Sequence, residues 1–76
     1  MSSYILYSSE GCHLCEDALA LCTPLINNKA LAIKDIVDDE TLVALYGVHI
    51  PVLMHVDTKK ELFWPFSSQD VITFLS

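Results

Sequence analysis

The sequence predicts one α/β domain spanning residues 1–76, a four-stranded mixed sheet with three helices in the order β-α-β-α-β-β-α. Three observations lead there. Short apolar, β-branched runs alternate with stretches of helical periodicity. The first two runs are joined by a helical stretch, which makes them parallel with a right-handed crossover. The last two are separated only by Asp57-Thr58-Lys59-Lys60, a turn that pairs them as an antiparallel hairpin. With 53% hydrophobic residues, a chain of 76 can fill one dense core but not two.

Ser2 and Ser3 form a polar entry. Tyr4 to Tyr7 reads as the first strand, and its apolar continuity suits burial on both faces of a sheet. From His13 to about Asn27 the pattern is helical. Leu14, Ala18, Leu21, Cys22 and Leu25 share one stripe, and Glu16 and Asp17 occupy the first turn, where the helix dipole favours acids. Pro24 has no N–H for the carbonyl four residues back, so it kinks this helix or ends its regular part. Ala30 to Val37 is the second strand, carried by Ile33, Ile36 and Val37.

Asp38 or Asp39 caps the second helix, with Glu40 in the first turn and Leu42, Leu45 and Tyr46 as the inner face. Gly47 is placed to be the left-handed residue that ends it, with Val48 covering the stop. After a break at His49-Ile50-Pro51, Val52 to Val56 is the third strand and Glu61 to Trp64 the fourth, ended by Pro65. Ser67 and Asp70 have capping-box spacing, and Val71, Ile72, Phe74 and Leu75 give a last short helix.

The chemistry concentrates between the first strand and the first helix, in Gly11-Cys12-His13-Leu14-Cys15. Two thiols three positions apart, after a strand and at a helix start, form a redox arrangement. The free N–H groups and dipole of a helix start favour an anion, and the thiolate is the nucleophile of disulfide exchange. Cys12, at the helix mouth, is the expected attacking thiol. Cys15, one turn further in, is the expected resolving thiol.

The plainer readings differ residue by residue. A zinc site on Cys12 and Cys15 needs two more ligands, and only Cys22, His13, His49 and His55 are on offer. Haem attachment needs His directly after the second Cys, where Glu16 stands. His13, if protonated, would support the Cys12 thiolate; otherwise it is an exposed first-turn residue. Glu10 opposes that thiolate. Cys22 reads as a small buried hydrophobe. His55 falls on the strand face opposite Val52, Met54 and Val56. His49 precedes Pro51 by two residues and is expected near the thiols. Trp64 and Phe66 read as packing at the last helix start.

Four basic residues, all Lys, against ten acidic ones give a net charge of −6. That balance excludes nucleic acid and anionic membrane surfaces as partners, since both need basic patches. No apolar run approaches the roughly 18 residues of a membrane span, and no signal peptide is visible at the N-terminus. Three Cys is an odd number, which disfavours a disulfide-stapled secreted scaffold and points to the reducing cytoplasm.

Leu6-Tyr7-Ser8, Cys12-His13-Leu14-Cys15, Ile50-Pro51-Val52 and Trp64-Pro65-Phe66 together resemble the thioredoxin superfamily, and within it the small glutaredoxin-like proteins, over nearly the whole chain. The resemblance implies a thioredoxin-like fold and a thiol–disulfide oxidoreductase, monomeric and without a built-in cofactor or metal. It implies that Pro51 is cis and faces the thiols, and that Ile50 offers its backbone to a disulfide-containing protein or small thiol substrate. Electrons would come from glutathione or a reductase system.

Two departures bear on glutathione. Glutaredoxins usually carry a Lys shortly before the first Cys, where this chain has Ser8-Ser9-Glu10. They usually hold glutathione's carboxylate at a Gly-Gly pair followed by an acid, where this chain has Phe66-Ser67-Ser68-Gln69-Asp70. The N–H groups of Ser67, Ser68 and Ile50 are then the expected neutral donors. Two other readings remain: a metal-binding or metal-delivery module on Cys12 and Cys15, and a non-catalytic thioredoxin-like partner-binding domain.

Overall fold

Strand β1 (Tyr4–Ser8) is the axis of a four-stranded sheet in a computed structural model that describes residues 3–75. Met1, Ser2 and Ser76 lie outside the described residues, so the polar entry is seen only from Ser3. On one side β1 pairs in parallel with β2 (Leu31–Asp35). On the other it pairs antiparallel with β3 (Val52–His55), which carries β4 (Glu61–Phe63) antiparallel at the far edge. The sheet order is β2-β1-β3-β4. Helices α1 (His13–Cys22), α2 (Glu40–Tyr46) and α3 (Ser68–Leu75) complete the expected element order.

Alternation along the central strands divides the core into two layers. Leu6 and Leu53 point to the face that α1 and α3 cover, where they meet Ala18, Cys22, Ile26, Phe66 and Val71. Tyr7, Val52 and Met54 point to the other face and meet Ile36 and Tyr46. Both faces of β1 and β3 are therefore apolar, which explains their unbroken hydrophobic runs. His55 falls opposite Val52 and Met54 as expected, with its ring 4.9 Å from that of Tyr4. Tyr46 stacks on Tyr7 at 4.7 Å and donates its hydroxyl to the Glu61 carboxylate, which ties α2 to β4. Burial, and then Glu61, push the Tyr46 hydroxyl up to about 12.

Several local expectations are corrected. Helix α1 stops at Cys22, short of Asn27. Pro24 cannot donate to the carbonyl of Ala20, so the chain turns, with Leu25 and Ile26 N–H both bonding to the Cys22 carbonyl at 2.9 Å. That turn sends Ile26 into the core, while Leu14, in the first turn of α1, is 49% exposed. Strand β2 is shorter than residues 30–37; as an edge strand it leaves Ile33 55% exposed, and Val37 beyond its end is exposed too. Strand β3 stops at His55 rather than Val56, and β4 at Phe63 rather than Trp64.

Asp39, not Asp38, caps α2, its Oδ1 accepting from the N–H groups of Thr41 at 2.9 Å and Leu42 at 3.2 Å. A helix of seven residues turns only one narrow stripe inward, so Leu42 and Tyr46 pack while Leu45 is exposed. Val48 is 92% exposed and does not cover the stop. Gly47 is right-handed, at φ −52° and ψ −34°. Its requirement is close approach: a Cβ there would lie 2.5 Å from the Val43 carbonyl oxygen, the acceptor of the Gly47 N–H. Gly47→Ala is therefore expected to destabilise the fold by about 1–3 kcal/mol, against the usual gain from Gly→Ala at unstrained right-handed positions. Urea denaturation reads this directly, and an unchanged or raised midpoint would refute the steric account.

Candidate functional site

β1 ends at Ser8, and the chain must then reverse into α1. Gly11 makes that turn with a positive φ of 78°, a backbone conformation that favours glycine, and the Cys12 N–H bonds to the Ser9 carbonyl at 3.1 Å. Cys12 thus becomes the N-cap of α1, in extended backbone geometry. Its Sγ accepts the N–H of Cys15 at 3.2 Å, the position a Ser or Asp oxygen takes in an ordinary cap. Cys12 and Cys15 are joined as a disulfide, with their Cα atoms 5.2 Å apart. Cys12 is partly exposed and Cys15 only 4% exposed, so one sulfur is presented to solvent and the other lies behind it.

Register explains what else gathers here. Tyr7 of β1 opposes Val52 of β3, and Val52 opposes Phe63 of β4. The cysteine turn, Pro51 and the segment Trp64–Ser67 therefore all lie at one end of the sheet. The Ile50-Pro51 bond is cis, as is Trp64-Pro65. Pro51 is fully buried, and its carbonyl accepts the Trp64 N–H at 3.2 Å. Phe66 is buried edge-on against Trp64 at 5.0 Å, so this pair is packing, as expected.

Two of the three N–H donors expected for glutathione, those of Ile50 and Ser67, are engaged within the fold. The Ile50 N–H bonds to the Tyr46 carbonyl at 3.0 Å. The Ser67 N–H bonds to the Asp70 carboxylate at 2.9 Å, while Ser67 Oγ accepts the Asp70 N–H at 3.2 Å. The capping box is thus real.

His13 points outward, 93% exposed, with Nδ1 3.8 Å from Glu16 Oε2; it makes no hydrogen bond to either sulfur among the described residues. His49 stacks on Phe63 at 5.4 Å. Cys22 is fully buried, and burial pushes its thiol up to about 11, which keeps it protonated and inert. Among the described residues no group of three or more His, Cys, Asp or Glu side chains is arranged to hold a metal ion. Nor is any described helix long and apolar enough to cross a membrane.

A groove of about 240 Å³ opens beside the disulfide. Leu6, Leu19 and Ile33 of the edge strand line it, together with Glu10, Glu16, Cys12 and Cys15. His13, Ile50, Pro51 and Ser67 are not among its lining residues. The roles of Glu16, Leu19 and Ile33 escape sequence reasoning. The usable signal was Glu16, four residues after Cys12 on the same helical face.

A Cys12–Cys15 disulfide at the N-terminus of the first helix, on a β2-β1-β3-β4 mixed sheet with a cis proline just before β3, defines a thioredoxin-superfamily protein. Residues 3–76 match the family model described as Glutaredoxin-like domain (DUF836), and the chain belongs to that family. It is similar to the solution structure of protein Ne2328 from Nitrosomonas europaea, at 34% identity and TM-score 0.79, covering 97% of this chain and 91% of that one. It is also similar to the X-ray structure of target protein XcR50 from X. campestris, at 33% identity and TM-score 0.77, covering 95% and 93%. No curated protein matches the chain in sequence.

Proposed function

We propose that the protein is a thiol–disulfide oxidoreductase that acts as a cytoplasmic monomer. The observation that carries this is the pairing of a solvent-facing Cys12 sulfur, held by a helix-start N–H at 3.2 Å, with a buried Cys15 one turn behind it. In the reduced protein the Cys12 thiolate attacks one sulfur of a substrate disulfide. A Cys12–substrate disulfide forms, and the other substrate sulfur leaves as a thiolate and takes a proton. Deprotonated Cys15 then attacks Cys12 Sγ, releasing the second substrate thiolate and closing the Cys12–Cys15 disulfide. Two electrons pass from the protein dithiol to the substrate. A thiol reductant must return them.

Thiol titration before and after mild oxidant, with metal analysis of the purified protein, tests this against the metal reading. Loss of two titratable thiols supports redox use; bound zinc held by Cys12 and Cys15 would replace it with metal binding. A pair that oxidises but exchanges with no disulfide would leave the partner-binding reading.

For the reductant, a dithiol system of the thioredoxin-reductase type fits better than glutathione. Glutathione brings two carboxylates, and the Ser67 and Ile50 donors are spent within the fold. Turnover of a small mixed disulfide with glutathione as sole electron source is expected to be slow, well below that with the reductase system. Brisk turnover at millimolar glutathione would overturn this choice.

A further inference from the structure

The topology separates charge along the strands. The parallel register of β1 and β2 puts Ser8 beside Asp35 at the end of the sheet that carries the disulfide. Glu10, Glu16, Asp17, Asp35, Asp39 and Asp70 all belong to segments at that end. Lys29 precedes β2 at the opposite end, and Lys59 and Lys60 lie in the β3–β4 turn, also at the opposite end. Lys34 is on β2, but alternation puts it on the face of Tyr7, away from that of Ile33. A five-residue strand spans roughly 17 Å, about twice the Debye length in physiological salt, so the distant ammonium groups do not offset the acids.

Acids alone would be only a solvated surface. Here two of them stand on the groove that flanks the disulfide, and among the described residues no Lys lines it. Glu16 is 79% exposed, with His13 at 3.8 Å as the one ion-pair partner found for it. Glu10 is exposed beside the turn into Cys12. Beside the carboxylates and the hydroxyls of Ser8 and Ser9, Leu6, Leu19 and Ile33 give the groove an apolar lining. An aliphatic stem with a cationic head matches that profile, the stem lying on Leu19 and Ile33 and the head reaching a carboxylate.

We infer that this groove selects polypeptide disulfides flanked by Lys or Arg within a few residues of the attacked Cys, with Glu10 and Glu16 as the specificity-determining residues. The inference rests on the oxidoreductase reading and adds its substrate class. A basic flank is steered toward the Cys12 end and held there during attack; an acidic flank is repelled.

The test uses the reduced full-length protein and three peptide disulfides that differ only in flanking residues: Lys, neutral Gln, or Glu. Second-order rate constants are measured at low and high ionic strength. The Lys peptide is expected to react about tenfold or more faster than the Glu peptide at low salt. That ratio should collapse toward one in about 0.5 M salt, since such steering is screened. It should also fall in the Glu10→Gln/Glu16→Gln protein, which circular dichroism shows to be folded or not. If that pair does not fold, the single Glu10→Gln protein serves, with a smaller fall expected. Equal rates for the three peptides, or a ratio unmoved by the substitutions, would overturn the groove's selectivity and leave the oxidoreductase standing. No reaction with any peptide would overturn both.

Discussion

Cys12→Ser is expected to abolish disulfide exchange, by on the order of a thousandfold or more, because no other thiol can take its place as nucleophile. Cys15 is buried behind Cys12, and Cys22 is sealed in the core with its thiol pushed up to about 11. Cys15→Ser should behave differently. The first attack survives, but nothing resolves it, so a stable Cys12–substrate disulfide accumulates. The same asymmetry should appear with iodoacetamide on the reduced wild type. Cys12 alkylates quickly, since the Cys15 N–H and the start of α1 stabilise its thiolate, while Cys15 and Cys22 lag far behind. Mass spectrometry of the trapped species and of the alkylated sites reads both results. Equal labelling of Cys12 and Cys15, or full activity in Cys12→Ser, would reverse the assignment of roles.

Leu53→Ala is expected to cost about 2–5 kcal/mol, a large share of the roughly 5–15 kcal/mol that holds a domain folded. Leu53 is fully buried at the centre of β3, between Leu6 of β1 and Leu62 of β4. Its side chain joins the layer shared by α1 and α3, which are themselves in contact. Losing it leaves a cavity that two strands and two helices would have to close together. Chemical denaturation measures the loss; a cost under about 1 kcal/mol would mean that the layer collapses freely around the gap.

Much of this architecture is legible in the chain because it is local. The element order follows from periodicity, the hairpin from a four-residue turn, and the α3 start from the Ser67–Asp70 spacing. The cysteine site is legible for the same reason, since motif, turn and helix start are contiguous. What is not legible depends on approach in space. An apolar stripe says that α1 and α2 have an inner side but not where each meets the sheet, so Leu14 and Leu45 were expected inside and lie outside. Gly47 suits a left-handed stop in sequence, yet its need comes from the Val43 carbonyl. The groove was invisible because Ile33 and Glu16 are neighbours only after β2 docks beside β1.

The two layers of the core carry unequal duties. The layer of Leu6, Ala18, Cys22, Leu53 and Val71 anchors α1, and with it the cap that holds Cys12. The other layer rests on a seven-residue helix that contributes Tyr46 and part of Leu42, with Val43, Leu45 and Val48 exposed around them. So small a buried contact places α2 among the elements expected to open most readily, as local unfolding follows the least buried apolar surface. Such an opening leaves α1 seated. The cap that holds Cys12 is thereby anchored apart from α2, whereas Ile50, whose N–H bonds to the Tyr46 carbonyl, and the adjoining Pro51 share in whatever α2 does.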